Sequence, residues 1–239
     1  MLHTDYSPDG EKIRRILILN LKKALNRTLK MGDEMTKVLK TGMFTFSFVE
    51  AFDGELLSDA EKNRRLSLPG GYRYGELFKP GEIGCTMSHI KALMMAEFYN
   101  WDEVIIFEDD VVLADDFEKR IKILFNILPP DWEHVYLSGI PRGFSSPQLF
   151  FPNVEKSPII DCIPAQVIRK SAYRKIFSYL STFETTTDDM IIEMIHKQKS
   201  LVSYTYYPFC VKVEDDFTYI WNHELNRTHK SKQWFVNKI

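Results

Sequence analysis

At 239 residues, with 31 basic against 33 acidic side chains and a net charge of −2, the chain lacks the basic excess of a nucleic-acid binder. It is long enough for one large α/β domain or two small ones, and its 44% hydrophobic and 27% charged residues are ordinary globular proportions. Cys85, Cys162 and Cys210 are odd in number and far apart, which fits reduced thiols better than a disulfide framework, and no CxxC or Cys/His cluster suggests zinc.

The opening MLHTDYSPDGEK is polar and lacks the apolar core of a signal peptide, and no stretch approaches the apolar length of a membrane span. A cytoplasmic protein, with peripheral membrane contact as an option, is expected. The sequons at Asn26 and Asn226 are then coincidental. A single domain with insertions is expected over residues 1–239, its core at about 13–220 between a polar lead and a basic tail.

Ile16 to Asn20 reads as a first buried strand, and Leu21 to Lys40 as a helix with Leu21, Leu25, Leu29, Met35, Val38 and Leu39 on its apolar side. Met43 to Phe52 alternates, placing Phe44, Phe46 and Phe48 on one face of a second strand next to the core. Glu55 to Gly81 turns polar and rich in glycine and proline, so a long loop with a short helix is expected, and such loops are usually functional. Pro80 to His89 then leads into a helix over Ile90 to Tyr99. Gly81 and Gly84 permit close backbone approach at its start, where free amides favour an anion.

Val104 to Phe107 is a short β-branched apolar run, as expected of a strand covered on both faces, and it ends in Glu108, Asp109 and Asp110. In open α/β sheets the carboxyl ends of strands are where ligands bind. Carboxylates packed this closely repel, so a counter-cation is their natural partner. Hard oxygen donors suit Mg²⁺ or Mn²⁺ bridging to nucleotide phosphates. A solvated acidic turn is the competing reading.

Asp116 to Leu128 reads as a helix capped by Asp115 or Asp116, His134 to Ser138 as a strand, and Gly139 to Pro158 as a loop. Ile159 to Ile168 is strand-like and Lys170 to Leu180 helical. Thr185 to Asp189 precedes a helix over Met190 to Lys199, with Asp188 and Asp189 as possible caps. Leu201 to Val213 gives one or two strands interrupted at Pro208. Glu214-Asp215-Asp216 repeats the acidic spelling of the central motif, and a surface turn accounts for it.

With these motifs placed, the chain resembles glycosyltransferase family 25, which includes bacterial lipooligosaccharide and procollagen galactosyltransferases. The resemblance runs from about Ile16 to about Ile220. It rests on Ile18-Leu19-Asn20-Leu21-Lys22 with Arg27 downstream, Gly81-Glu82-Ile83-Gly84-Cys85 with Ser88-His89, Phe107-Glu108-Asp109-Asp110-Val111, and Thr187-Asp188 opening a helix. Lys22-Lys23-Ala24, Thr86-Met87 and the Ala165 to Ile168 strand depart from the commoner family wording.

The resemblance implies the GT-A fold, a mixed central sheet flanked by helices, and an inverting, metal-dependent transfer of a hexose from a UDP-sugar. UDP-galactose is the leading donor and UDP-glucose the second, with a saccharide, glycolipid or collagen-like protein hydroxyl as acceptor. Asp110 is the expected ligand of Mn²⁺ or Mg²⁺, with Glu108 on the metal, ribose or a bound water, and Asp109 assisting. His223 is a further candidate metal ligand, by analogy with late histidines in this fold. Asp188, or its neighbour Asp189, is the expected base. Asn20 and Arg27 are expected at the nucleotide, although Arg27 also fits a solvated helix face. Gly84, His89 and Glu82 are expected at the donor site; His89 could instead satisfy local partners, and Glu82 the helix dipole. A phosphohydrolase or nucleotidyltransferase using the same carboxylates, and an inactive sugar-nucleotide-binding homologue, are the alternatives.

Overall fold

The computed structural model describes residues 6, 10, 12–64, 75–141, 149–151, 153–156, 159–213, 217–218 and 223–224, with backbone alone at 149–151, 217–218 and 223–224. Strand β1 (Arg14–Asn20) forms where Ile16 to Leu19 supply an unbroken apolar run that is buried on both faces. Helix α1 (Leu25–Val38) returns to β2 (Phe44–Glu50), which pairs parallel to β1. After the one-turn α2 (Asp59–Lys62), helix α3 (Pro80–Phe98) leads into β3 (Glu103–Glu108), also parallel to β1. Val104 to Phe107 are fully buried. At roughly 1.5–3 kcal/mol for each large apolar side chain, this strand is a main anchor of the fold.

Strand β4 (Val111–Leu113) and helix α4 (Phe117–Ile127) follow, then β5 (His134–Tyr136). The segment expected as a loop holds β6 (Ile140–Pro141), β7 (Leu149–Phe151) and β8 (Val154–Lys156). The strand expected at Ile159 to Ile168 is two, β9 (Ile160–Asp161) and β10 (Ala165–Arg169), divided where Cys162 takes a left-handed φ of +61°. Helices α5 (Lys170–Leu180) and α6 (Thr187–His196) precede β11 (Ser203–Tyr206), β12 (Val211–Val213), β13 (Phe217–Thr218) and β14 (His223–Glu224).

The main sheet has eight strands in the order β2-β1-β3-β10-β5-β11-β8-β7. It is mixed because β10 runs antiparallel to both β3 and β5. On one face, Ile16, Ile18, Ile105 and Phe107 pack with Met31 and Met35 of α1 and with Phe117, Ile121 and Leu124 of α4. On the other, Leu17, Val104 and Ile106 pack with Ala92 and Leu93 of α3, Tyr173 and Ile176 of α5, and Met190 and Met194 of α6. The result is a helix–sheet–helix sandwich. Among the described residues, no helix is long and apolar enough to cross a membrane.

Three further expectations change. Strand β2 is the sheet's edge, so Phe44 is buried but Phe48 is exposed. Helix α1 buries Met31, Met35 and Val38, a stripe that leaves Leu25 and Leu29 on the opposite, exposed side. Helix α3 starts ten residues earlier than expected, because proline at the first helical position is compatible with a helix start and the Glu82 carboxylate accepts the Lys79 N–H at 2.9 Å.

Candidate active site

Leu19 of β1 lies opposite Glu108 of β3, so both strands end at one corner, and the three carboxylates emerge beside Asn20. They take different environments. Asp109 turns inward and is buried; Asn20 Nδ2 donates to its Oδ2 at 2.8 Å, and Arg27 donates to its Oδ1 at 2.6 Å. The Thr28 hydroxyl donates to Asn20 Oδ1 at 2.9 Å and so fixes the amide with its N–H groups toward Asp109. Burial pushes the Asp109 carboxyl up, while Arg27 and Asn20 pull it down. Asn20 and Arg27, expected at the nucleotide, are thus engaged in holding the acidic turn. Removing one partner of such a pair leaves an uncompensated buried charge, a loss of about 3–5 kcal/mol.

Asp110 has no such support. Its Oδ1 is buried without a hydrogen-bond partner, and its Oδ2 lies 3.6 Å from Arg27. Burial first, then the Glu108 charge, push its carboxyl up to about 7. An orphaned oxygen beside a second carboxylate is a donor set that fits a hard divalent cation. The side chain of His223 lies outside the described residues, as do those of Glu214 to Asp216.

The corner opens on a cleft lined by Arg27, Phe52, Asp53, Cys85, Glu108 and Asp110 among others. Beside it, two glycines let the Phe52 to Gly54 segment and the start of α3 approach closely. A Cβ on Gly84 would stand 2.5 Å from the Phe52 carbonyl oxygen, and one on Gly54 would stand 2.2 Å from the Pro80 carbonyl carbon. The Ser88 hydroxyl accepts the Phe52 N–H at 2.9 Å and donates to the Gly84 carbonyl at 2.6 Å. Gly84 therefore sits inside α3 as a packing contact; it is not in the turn expected before a helix. Glu82 is engaged at the helix start and does not line the cleft.

Behind Glu108 runs a buried polar chain. His89 Nε2 lies 3.5 Å from Glu108 Oε1, and His89 Nδ1 lies 3.2 Å from the Gln166 amide nitrogen. Gln166 Oε1 meets His134 Nε2 at 3.0 Å, and His134 Nδ1 meets Ser203 Oγ at 2.8 Å. Burial lowers His134 to about 4, so it is neutral near pH 7 and passes one hydrogen-bond polarity along the chain. Gln166, His134 and Ser203 carried no signal in the sequence, since isolated polar residues within strands suggest an exposed face. Cys85 also reaches the corner, its Sγ 3.7 Å from Glu108 Oε1.

Helix α6 begins at Thr187 with Thr186 as its cap residue, so Asp188 and Asp189 lie in the first turn and neither caps it. Thr186 Oγ1 donates to Asp188 Oδ1 at 2.7 Å, and the Cys162 N–H donates to Asp188 Oδ2 at 3.3 Å. Thr187 is pinned to α3 through a 2.8 Å hydroxyl contact with Thr86. Asp188 is therefore close enough to act with Glu108 in raising the Cys85 thiol well above its usual range, although burial is the larger cause. Asp189 accepts a weaker bond from Thr186 at 3.2 Å.

The family model described as glycosyltransferase family 25 (LPS biosynthesis protein) matches residues 13–187, which carry Asn20, Arg27, Cys85, His89 and the three carboxylates and end one residue before Asp188. The chain belongs to glycosyltransferase family 25. This family 25 chain is similar to human procollagen galactosyltransferase 2, with 29% identity over 154 residues, covering 62% of the chain and 24% of that relative. It is also similar to the rat probable inactive glycosyltransferase 25 family member 3, with 32% identity over 96 residues, covering 37% of the chain and 17% of the relative. The chain thus spans about a quarter of the length of the procollagen relative, at 24%. Among solved structures, a glycosyltransferase involved in the glycosylation of the major capsid of PBCV-1 aligns with a TM-score of 0.50 at 11% identity, covering 82% of each chain. The fold is of the GT-A type.

Proposed function

We propose that this family 25 chain is an inverting, metal-dependent hexosyltransferase that moves galactose, or glucose as the second choice, from a UDP-sugar to a hydroxyl acceptor. The observation that carries the reading is Asp110, which lines the cleft with Glu108 and has a buried oxygen without a hydrogen-bond partner. Both carboxylates would hold Mn²⁺ or Mg²⁺, which would supply positive charge to offset the negative charge of a departing diphosphate. Asp109, locked by Asn20 and Arg27, sets the turn that presents them. Asp188, close enough to act on the Cys85 thiol together with Glu108, accepts the proton of the acceptor hydroxyl as that oxygen attacks the anomeric carbon and the bond to the diphosphate breaks. Galactose is supported by the name of the human relative. The acceptor is a saccharide, glycolipid or collagen-like protein.

Calorimetry of UDP with Mn²⁺ tests the donor site. Asp110→Asn should lose the metal-dependent part of UDP binding, and affinity equal to wild type would sink the assignment. Response to phosphomonoesters but not UDP would favour a phosphohydrolase, while UDP binding without donor hydrolysis or transfer would favour an inactive homologue.

Asp188→Asn should retain UDP–Mn²⁺ affinity and fold stability while transfer falls by about 10²–10⁴-fold. Wild-type transfer rates in that variant would move the base to another residue, Asp189 first.

A further inference from the structure

The sequence offers no reason to expect a sulfur-containing metal site, yet the fold brings a cysteine, a histidine and a glutamate together. We propose that Cys85, His89 and Glu108 form a site for a thiophilic divalent ion of the Zn²⁺ type, which shares Glu108 with the proposed Mn²⁺ or Mg²⁺ site and does not use Asp110. Cys85 and His89 are four residues apart on α3 and therefore share one helix face, and the end of β3 brings Glu108 to them. The three donor atoms lie within 4.8 Å of one another.

The separations suit an ion. Tetrahedral zinc, with bonds of about 2.3 Å to sulfur and about 2.0–2.2 Å to nitrogen or oxygen, sets its ligand atoms roughly 3.4–3.6 Å apart. Here Cys85 Sγ is 3.7 Å and His89 Nε2 is 3.5 Å from Glu108 Oε1. His89 is 1% exposed, and its Nε2, directed at this carboxylate, has no hydrogen-bond partner. Cys85 and Glu108 also line the cleft, so a solvent ligand can complete the coordination from that side. Thiolate, imidazole and carboxylate together favour Zn²⁺ over Mn²⁺ or Mg²⁺.

The shell behind His89 fits as well. A zinc-bound histidine uses its other ring N–H as a donor to an acceptor. Turning the Gln166 amide by half a rotation presents Oε1 to His89 Nδ1 and the amide nitrogen to His134 Nε2; His134 Nδ1 then donates to Ser203. Every contact of the polar chain survives with its direction reversed. Binding releases the Cys85 thiol proton to solvent and anchors Glu108 to α3.

The test uses the full chain with Co²⁺ and no nucleotide. Co²⁺ should give a thiolate-to-metal charge-transfer band that one equivalent of Zn²⁺ removes, that Cys85→Ser lacks and that Asp110→Asn keeps. Absence of the band in wild type, its persistence in Cys85→Ser, or its loss in a folded Asp110→Asn would overturn the proposal. Independently of any variant, Zn²⁺ should protect Cys85 of the wild-type chain from alkylation, read by peptide mass spectrometry. Equal labelling with and without Zn²⁺ would also overturn it.

Discussion

Asp110 gives the corner a definite pH behaviour. Its carboxyl rises from an ordinary 3.8 to about 7 in the folded chain, so near pH 5–6 the native state holds a proton that the unfolded chain has released. The stability contributed by this group is full below about pH 4 and is lost as pH rises through about 7. A cation competes with that same proton. Mn²⁺ affinity should therefore rise by about tenfold per pH unit below about pH 7 and level off above it, as measured by titration calorimetry in a pH series. A flat profile would place the metal elsewhere. The residue types of this corner were legible, because three carboxylates directly after a buried strand call for a counter-cation. Their division of labour was not. That Arg27 bonds closely to Asp109 while one oxygen of Asp110 is left without a hydrogen bond depends on which way each side chain turns, and a one-dimensional pattern does not contain that. The sequence showed no Cys/His metal cluster for the same reason, since the third partner of Cys85 and His89 comes from a different element.

Helix α3 is the element that builds the cleft wall, and its glycines can be separated from other helical glycines by experiment. At Gly84 an added methyl meets the Phe52 backbone oxygen at 2.5 Å, which cannot rotate away, whereas at Gly32 in α1 nothing lies within 4 Å. Gly84→Ala should lower the unfolding free energy by about 1–3 kcal/mol, the usual scale of overpacking. Gly32→Ala should raise it by about 0.5–1 kcal/mol through helix propensity. Urea denaturation of both variants decides, and equal effects would show that the contact with Phe52 is not tight. Elements whose signal is local were readable: α5 occupies the predicted span, because Tyr173, Ile176 and Leu180 keep strict helical spacing on one buried face. The start of α3 was missed because Pro80-Gly81 reads as a breaker when the backbone N–H that donates to the Glu82 carboxylate is unknown. Phe48 misled in the opposite way, since alternation marks a strand but does not say whether a helix covers it.

At the scale of the molecule, the alternation of strands and helices announced an α/β sandwich, and the family wording narrowed it to the GT-A type. Strand order was not legible, because nothing local says that β10 enters antiparallel between β3 and β5. That insertion has a consequence for how the chain is made. During synthesis β3 finds β1 early, but its other edge has no partner until Ala165 to Arg169 are available, and β5 waits for the same strand. Loop closure of this length is slow, and domains generally fold as units. A ribosome-held chain arrested before Ala165 should remain protease-sensitive throughout β3, with protection appearing once β10 and α5 have emerged. Early protection of β3 would show that the first half folds alone. The acidic corner, though encoded before the middle of the chain, would then be among the last parts to acquire its shape.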